Sequence, residues 1–416
     1  MRATTLLNRV LNLPGVRVVG VDPQTLQGAG PVVVEVALRR RRLVCPSCPF
    51  STSRCYDQRG VDSWWRHLDL GGRQFRLRMR RRRLDCPEHG VRAEAVPFAR
   101  AGARFTTDFE DLVVWLTTRA DKTTVSTFAR VAWRTVGATC QRVSAEKLDP
   151  DRLAGLVDIG VDEISWRKHH KYLTLVSDHD TSTIVWGTAG KNAAALDAFF
   201  DDLGQDGAEG IEAVSMDLGP AYAKAVRARA PQAVICFDPF HVVKVAGDAL
   251  DVVRRQAWQS ARRFPDKSIA KRYKGARWAL CKNPADLTDK QAVTLAGLRK
   301  QGGALWRAYQ LKEALRATFA GDLDPDTVMD LLGRWCSRAQ RSRLPSFVKA
   351  ARTIRRHQEG IAAAVTRGLA NGRHEGLNNK IRTMTKRSYG FHSPQAALAL
   401  IMLACGPVKL GLPYHT

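Results

Sequence analysis

Long apolar runs are missing from this 416-residue chain. None approaches the roughly 18 residues that a membrane-spanning helix requires, which excludes a function embedded in lipid. Acidic side chains are scarce beside basic ones, with 40 Asp and Glu facing 66 Lys and Arg for a formal net charge of +26. A surplus of that size attracts polyanions over long range, so nucleic acid is the favoured partner and no membrane is expected. Cysteine is sparse and its count odd, at nine, which argues against a framework of paired disulfides. Met1 to Asn12 has neither a sustained apolar core nor a small-residue cleavage site, so a reducing cytoplasm, at the nucleoid, is the expected location. In that compartment a Cys-x-x-Cys pair reads as a metal clasp or redox motif. The isolated Cys140, Cys236, Cys281, Cys336 and Cys405 read as core residues. No internal repeat is visible.

A chain of this length is expected to form two or more domains. The first 150 residues hold 26 Lys and Arg against 14 Asp and Glu, so basic charge is densest there. Residues 1–104 read as a small β-rich module: Pro31 to Leu38 is one β-branched run and Gln74 to Met79 another, punctuated by Gly, Pro and Arg. Cys45-Pro-Ser-Cys48 and Cys86-Pro-Glu-His89 are two knuckles that supply three thiolates and one imidazole, the ligand set of a closed, structural zinc site. Cys55 lacks a partner at knuckle spacing. The runs Arg39, Arg40, Arg41, Arg42 and Arg80, Arg81, Arg82, Arg83 flank the knuckles and read as phosphate contacts, the alternative being a solvated face.

Residues 105–150 are helical by pattern. Thr123 to Val136 has the form of a helix-turn-helix, with a first helix to Ala132 and a second from about Arg134 to Val143 that exposes Thr135, Thr139, Gln141 and Arg142. Such a second helix can enter a major groove, which makes Arg134, Thr135, Thr139 and Arg142 candidate DNA contacts. A plain packing hairpin is the alternative.

From Leu156 the pattern becomes strand, turn, strand: Leu156 to Asp162, Tyr172 to Ser177 and Thr183 to Thr188, with Asp178-His-Asp as a hairpin turn. A helix, a strand to Met216, a second helix and a strand to Phe237 follow. This order is that of an α/β ribonuclease-H-like fold over residues 151–244. Residues 245–367 read as an all-α insertion carrying Trp258, Trp278, Trp306 and Trp335, and residues 368–416 return as C-terminal helices of the catalytic domain.

Three acids stand out. Asp162 and Asp217 close short apolar runs, and Glu375 sits on a helix otherwise crowded with amides and cations, at spacings of 55 and 158 residues. At helical period Glu375, Asn378, Asn379, Arg382 and Lys386 share a face, with Leu377, Ile381 and Met384 as the buried stripe opposite. Hard carboxylate oxygens suit two Mg²⁺ or Mn²⁺ ions, which can activate an attacking oxygen and stabilise a leaving one in phosphoryl displacement. Lys380, Arg382, Lys386 and Arg387 would neutralise phosphates nearby. Asp158 rivals Asp162, since strand alternation puts both on one side, while Glu163 points the other way. Asp238 and His241 end the last strand and, with Asn378 and Asn379, read as positioning groups or contacts to the DNA strand.

These blocks together resemble the ISL-three-type family of bacterial insertion-sequence transposases. The similarity runs through Cys45 to His89, Gly160 to Ser165, Val214 to Tyr222, Asp238 to Lys244 and, most specifically, Asn371 to Phe391. It implies a DDE transposase whose zinc module and helix-turn-helix recognise terminal inverted repeats, and whose ribonuclease-H-like domain cleaves and transfers strands with Asp162, Asp217 and Glu375. The second knuckle departs from the family by ending in His89 rather than a fourth Cys. Expected partners are double-stranded DNA, as inverted repeats and target, and a second copy in a homodimer or higher assembly. Two other readings stay open: a DNA-binding regulator without catalysis, and a ribonuclease-H-like nuclease without strand transfer.

Overall fold

The computed structural model describes residues 3–167, 171–321, 323–369 and 372–412, with side chains from residue 376 in the last stretch. It divides into two compact units, one from the N-terminus to Leu148 with the chain from Val408 onward, the other Asp149–Pro407. Among the described residues no helix is long and apolar enough to cross a membrane.

The first unit opens with a helix, Ala3–Leu11, that the pattern of strands and turns did not suggest. Asn8 fixes it to the neighbouring strand, accepting from Val18 N at 2.8 Å. A four-stranded sheet follows, in the order Val16–Val21, Val32–Leu38, Arg73–Met79, Ser63–Leu70. Its alternation is visible in Arg73–Met79, where Phe75, Leu77 and Met79 are buried while Arg76 is exposed. These side chains pack with Trp65 and Phe98 into a core of their own. Two smaller ladders carry the knuckles: Leu43–Val44 with Ser51–Thr52, and Asp57–Gln58 with Arg82–Cys86 and Gly90–Ala93. The turn between the last two strands needs the left-handed backbone at Gly90 (φ 65°).

Three helices complete this unit: Thr107–Thr117, Lys122–Ala129 and Trp133–Lys147. Asp121 caps the second by accepting from Thr123 N and Thr124 N, and Arg130 ends it in the left-handed region (φ 53°). The second helix is therefore shorter than the expected end at Ala132, and the connection to the third, Arg130 to Ala132, is longer than the expected one. Exposure of Thr139 and Arg142 is also corrected. Thr139 is 2% exposed because it lies on the stripe that includes Val136, Cys140 and Val143. Arg142 is held against Glu110, a fully buried acid. The exposed face instead carries Arg134 and Ala138, with Thr135 and Gln141 half-buried beside it.

In the second unit the five strands are β1 (Asp158–Arg167), β2 (Lys171–Asp178), β3 (Thr183–Ala189), β4 (Ala213–Met216) and β5 (Val234–Phe237). They lie in the order β3-β2-β1-β4-β5, antiparallel within the first three and parallel from β1 through β4 to β5. Asp178 shapes the β2–β3 hairpin by accepting from Asp180 N and Thr181 N. The helix Ala193–Glu209 leads into β4 and Pro220–Arg229 into β5. A run of helices from Pro239 to Thr366 follows, and its core is continuous with that of the sheet. Trp335 is buried there and donates to Leu311 O, whereas Trp278 is 62% exposed. Of the isolated cysteines Cys140, Cys236, Cys336 and Cys405 are buried; Cys281 is exposed, contrary to expectation, because it ends its short helix on the solvent side. The helices Gly372–Arg387 and Pro394–Cys405 close the unit.

Candidate active site

Parallel pairing of β1 and β4 sets the site. The register matches Asp158 with Ala213 and Gly160 with Ser215, and two residues further along each chain stand Asp162 and Asp217. Asp162 is half-buried, its carboxylate accepting from Glu163 N at 2.6 Å and from the Asn378 side chain. Burial, with the charge of Asp217 next in size, pushes the Asp162 carboxyl above its ordinary range. A buried carboxyl whose proton affinity a neighbouring acid raises is a place where a cation is expected.

Asp217 is steadied from behind. His241 Nδ1 lies 2.8 Å from Asp217 Oδ1 and 2.9 Å from Asp238 Oδ2. Asp238, 2% exposed, also caps the helix Pro239–Ala261 by accepting from Phe240 N. Burial opposes a charged imidazole, but the bonds to Asp217 and Asp238 outweigh it and push His241 up to about 9. A pocket of about 370 Å³ opens over these groups and is also lined by Lys191, Tyr222 and Lys244. Tyr222 shares a 2.8 Å hydrogen bond with Thr174, and burial, reinforced by the carboxylates nearby, pushes its phenol up to about 12. Lys191, Tyr222 and Lys244 were not singled out in the sequence. Lys244, one turn beyond His241, was the most accessible of them to helical spacing.

The Asn378 bond places the helix Gly372–Arg387 against β1. Glu375 is on this helix, but its side chain lies outside the described residues. Ile381 and Met384 are buried as the stripe required, while Leu377 is only half-buried. Asn379, Arg382 and Lys386 are exposed, Arg387 is half-buried, and the Lys380 amine donates to Ala404 O on the next helix. Asp158 does not join the site; it faces Arg367 at 3.5 Å.

In the first unit the ligand atoms of Cys45, Cys48, Cys86 and His89 all lie within 4.8 Å of one another. The separations include 3.6 Å for Cys48–Cys86, 3.6 Å for Cys86–His89 and 3.9 Å for Cys45–His89. Tetrahedral bonding to a metal at about 2.3 Å requires ligand separations of about 3.8 Å, so the four residues can hold one ion. Cys55 stays outside, exposed and donating to Asp57 O. The two arginine runs come together, since Arg39, Arg40, Arg41, Arg80 and Arg82 line one pocket of about 540 Å³. Several have partners within the module: Arg82 on Glu94, Arg83 on Asp57, Arg80 on Asp62 and Arg42 on Ser51.

Comparison with known proteins agrees with this division. Residues 159–401 match the DDE transposase family of ISL3 type, and residues 94–143 match the helix-turn-helix domain of transposase family ISL3. The transposase for insertion sequence element IS1557 of Mycobacterium tuberculosis is 43% identical over 378 residues, covering 86% of this chain and 85% of that protein. The transposase for insertion sequence element IS1001 of Bordetella parapertussis is 28% identical over 322 residues, covering 77% and 78%. With a sheet that sets two acids side by side, a helix-turn-helix and relatives matched along most of their length, the chain belongs to the ISL3 family of transposases, enzymes that act on DNA.

Proposed function

We propose that this transposase binds the terminal inverted repeats of an insertion sequence and carries out cleavage and strand transfer at a site formed by Asp162, Asp217 and Glu375. The strand order β3-β2-β1-β4-β5, antiparallel then parallel, supports a ribonuclease-H-like catalytic domain. The observation that carries the reading is the pairing of Asp162 with Asp217 across β1 and β4, with Asn378 tying the Glu375 helix to Asp162. These three acids would hold two Mg²⁺ or Mn²⁺ ions, which when bound supply Lewis-acid activation of the attacking oxygen and stabilisation of the leaving one. Asn378 fixes the Asp162 carboxylate, and His241, anchored on Asp238, fixes that of Asp217. Lys191 and Lys244 present positive charge to a phosphodiester entering the pocket.

Cys45, Cys48, Cys86 and His89 fit a structural zinc ion that braces the first unit. Arg134 and Thr135 on the third helix are the groove-facing candidates, with Arg39, Arg40, Arg41 and Arg80 as phosphate contacts. Pairing of two element ends calls for a homodimer or larger assembly, working at the nucleoid in the cytoplasm.

The test is cleavage and joining of a labelled element-end duplex with Mg²⁺, comparing the intact protein with Asp217→Asn and Glu375→Gln at matched DNA binding. Nicked and joined products lost only in the variants support the reading. Nicking without joined products in the intact protein would instead indicate a nuclease, and products that persist in Glu375→Gln would remove Glu375 from the site.

A further inference from the structure

The first unit holds a second basic pocket, separate from the metal cluster and from the third helix. It has a volume of about 550 Å³ and is lined by Arg59, Ser63, Trp64, Trp65, Arg81 and Arg104, among others. Two guanidiniums converge in it on one hydroxyl: Arg81 Nε donates to Ser63 Oγ at 3.0 Å and Arg59 Nη1 donates to the same atom at 3.3 Å. Ser63 is 7% exposed, and the floor beneath Arg81 is the buried Trp65 ring, 5.5 Å from its guanidinium carbon.

Neither Arg59 nor Arg81 has a carboxylate partner among the described residues. The acid on the wall, Asp62, is engaged by Arg80 at 3.0 Å, and Glu94 closes on Arg82, offering Arg81 only its backbone oxygen. Arg100, also on the wall, is saturated by Glu110, Asp111 and Glu146. Arg104 is exposed at the rim. Arg66, Arg78, Arg80, Arg82 and Arg83 of the same module each pair with an acid, whereas here two cations share one neutral acceptor and repel each other. An anion between them would relieve that repulsion and accept the N–H groups left over. Planar forks suit a tetrahedral oxyanion.

We propose that this pocket seats one phosphodiester of the DNA backbone, clamped by Arg59 and Arg81 with Arg104 at its mouth. The proposal rests on the DNA-binding reading of the chain and deepens it: Arg81, one of the run already read as phosphate contacts, gains defined companions in Arg59 and Arg104, at a site outside the three helices and outside the pocket shared by the two arginine runs. A phosphate contact is indifferent to base sequence, so this clamp sets register and strength of binding without selecting the site.

The experiment measures affinity of the full-length protein for two short duplexes of unrelated sequence across a salt series. Arg59→Gln, Arg104→Gln and Ser63→Ala are compared with Arg92→Gln, an exposed arginine of the same module placed away from the pocket. Zinc content and thermal melting confirm that each variant is folded. Arg59→Gln is expected to weaken binding to both duplexes by the same factor and to reduce the slope of log affinity against log salt by about one. Arg92→Gln is expected to leave the slope near that of the intact protein. Equal slopes for Arg59→Gln and Arg92→Gln, or a loss confined to one duplex, would overturn the phosphate clamp. No binding by the intact protein at any salt would overturn the DNA-binding reading itself and the clamp with it.

Discussion

His67 shows what a single buried side chain costs. It is 4% exposed, and its Nδ1 lies 2.9 Å from Thr106 Oγ1, the hydroxyl that caps the helix Thr107–Thr117. Burial pushes its pKa down to about 4 from the ordinary 6.5. The native state therefore resists a proton that the unfolded chain accepts, so the contribution to stability is complete above pH 6.5 and is lost as pH falls towards 4. The loss amounts to roughly 3 kcal/mol at most. Denaturant midpoints followed by tryptophan fluorescence should fall over that window, and His67→Gln should flatten the fall; an equally steep loss in the variant would assign it to other groups. Asn378 makes a second prediction at this scale. Asn378→Leu keeps the volume but removes the donor to Asp162, and strand cleavage should drop on the order of 10- to 100-fold with DNA affinity unchanged. Unaltered cleavage would show that Asp162 needs no such support.

Among elements, the helix Gln358–Thr366 has little room to spare. It lies against β5, and a Cβ at Gly360 would stand 2.6 Å from Ile235 O and 2.7 Å from the Phe237 ring. Gly360→Ala should therefore cost about 1–3 kcal/mol in chemical denaturation; a variant as stable as the parent would mean that helix and strand separate freely. The ladders around Cys45, Cys48, Cys86 and His89 have little packing of their own, the local core being Leu43, Leu84 and the cysteines with Phe50 against them, so the proposed metal is expected to carry their stability. Cys86→Ser, or chelation, should release the bound metal, lower the melting temperature of the first unit and abolish DNA binding. Retention of both would exclude a structural role for the ion. The elements most legible in the sequence were the short apolar runs that lead to Asp162 and Asp217, and the knuckle pairs at Cys45 and Cys86, although the first strand runs on to Arg167 rather than closing at Asp162. Ala3–Leu11 was missed although Leu7 and Leu11 recur at helical spacing and pack on the core, because nine residues hold few helical turns. Thr139 was misread for a related reason. Threonine is polar in composition, yet its place on a helix stripe, not its chemistry, decides that it is buried. Asp238 and His241 stand three apart at the start of one helix, a spacing the sequence displays, but their meeting with Asp217, which follows β4, has no sequence spacing to announce it.

For the whole molecule, the charge of +26 sets the scale of DNA association. If about six to ten phosphates are neutralised, affinity for any duplex should fall roughly 10³- to 10⁵-fold between about 50 and 200 mM salt. A shallow dependence, measured by titration, would mean that most of the basic surface stays away from the duplex. The helical run between Pro239 and Thr366 has a different consequence, one of timing. Asn378 is 216 residues beyond the Asp162 it binds. At ordinary rates of synthesis, about 5–20 residues per second, that separation is roughly 10–40 seconds of translation. During this interval the metal cluster and the helix-turn-helix are already outside the ribosome, and domains fold as units from the N-terminus. Under the proposed function, the order of synthesis is expected to yield a nascent chain that holds DNA before the residues that would cut it are assembled.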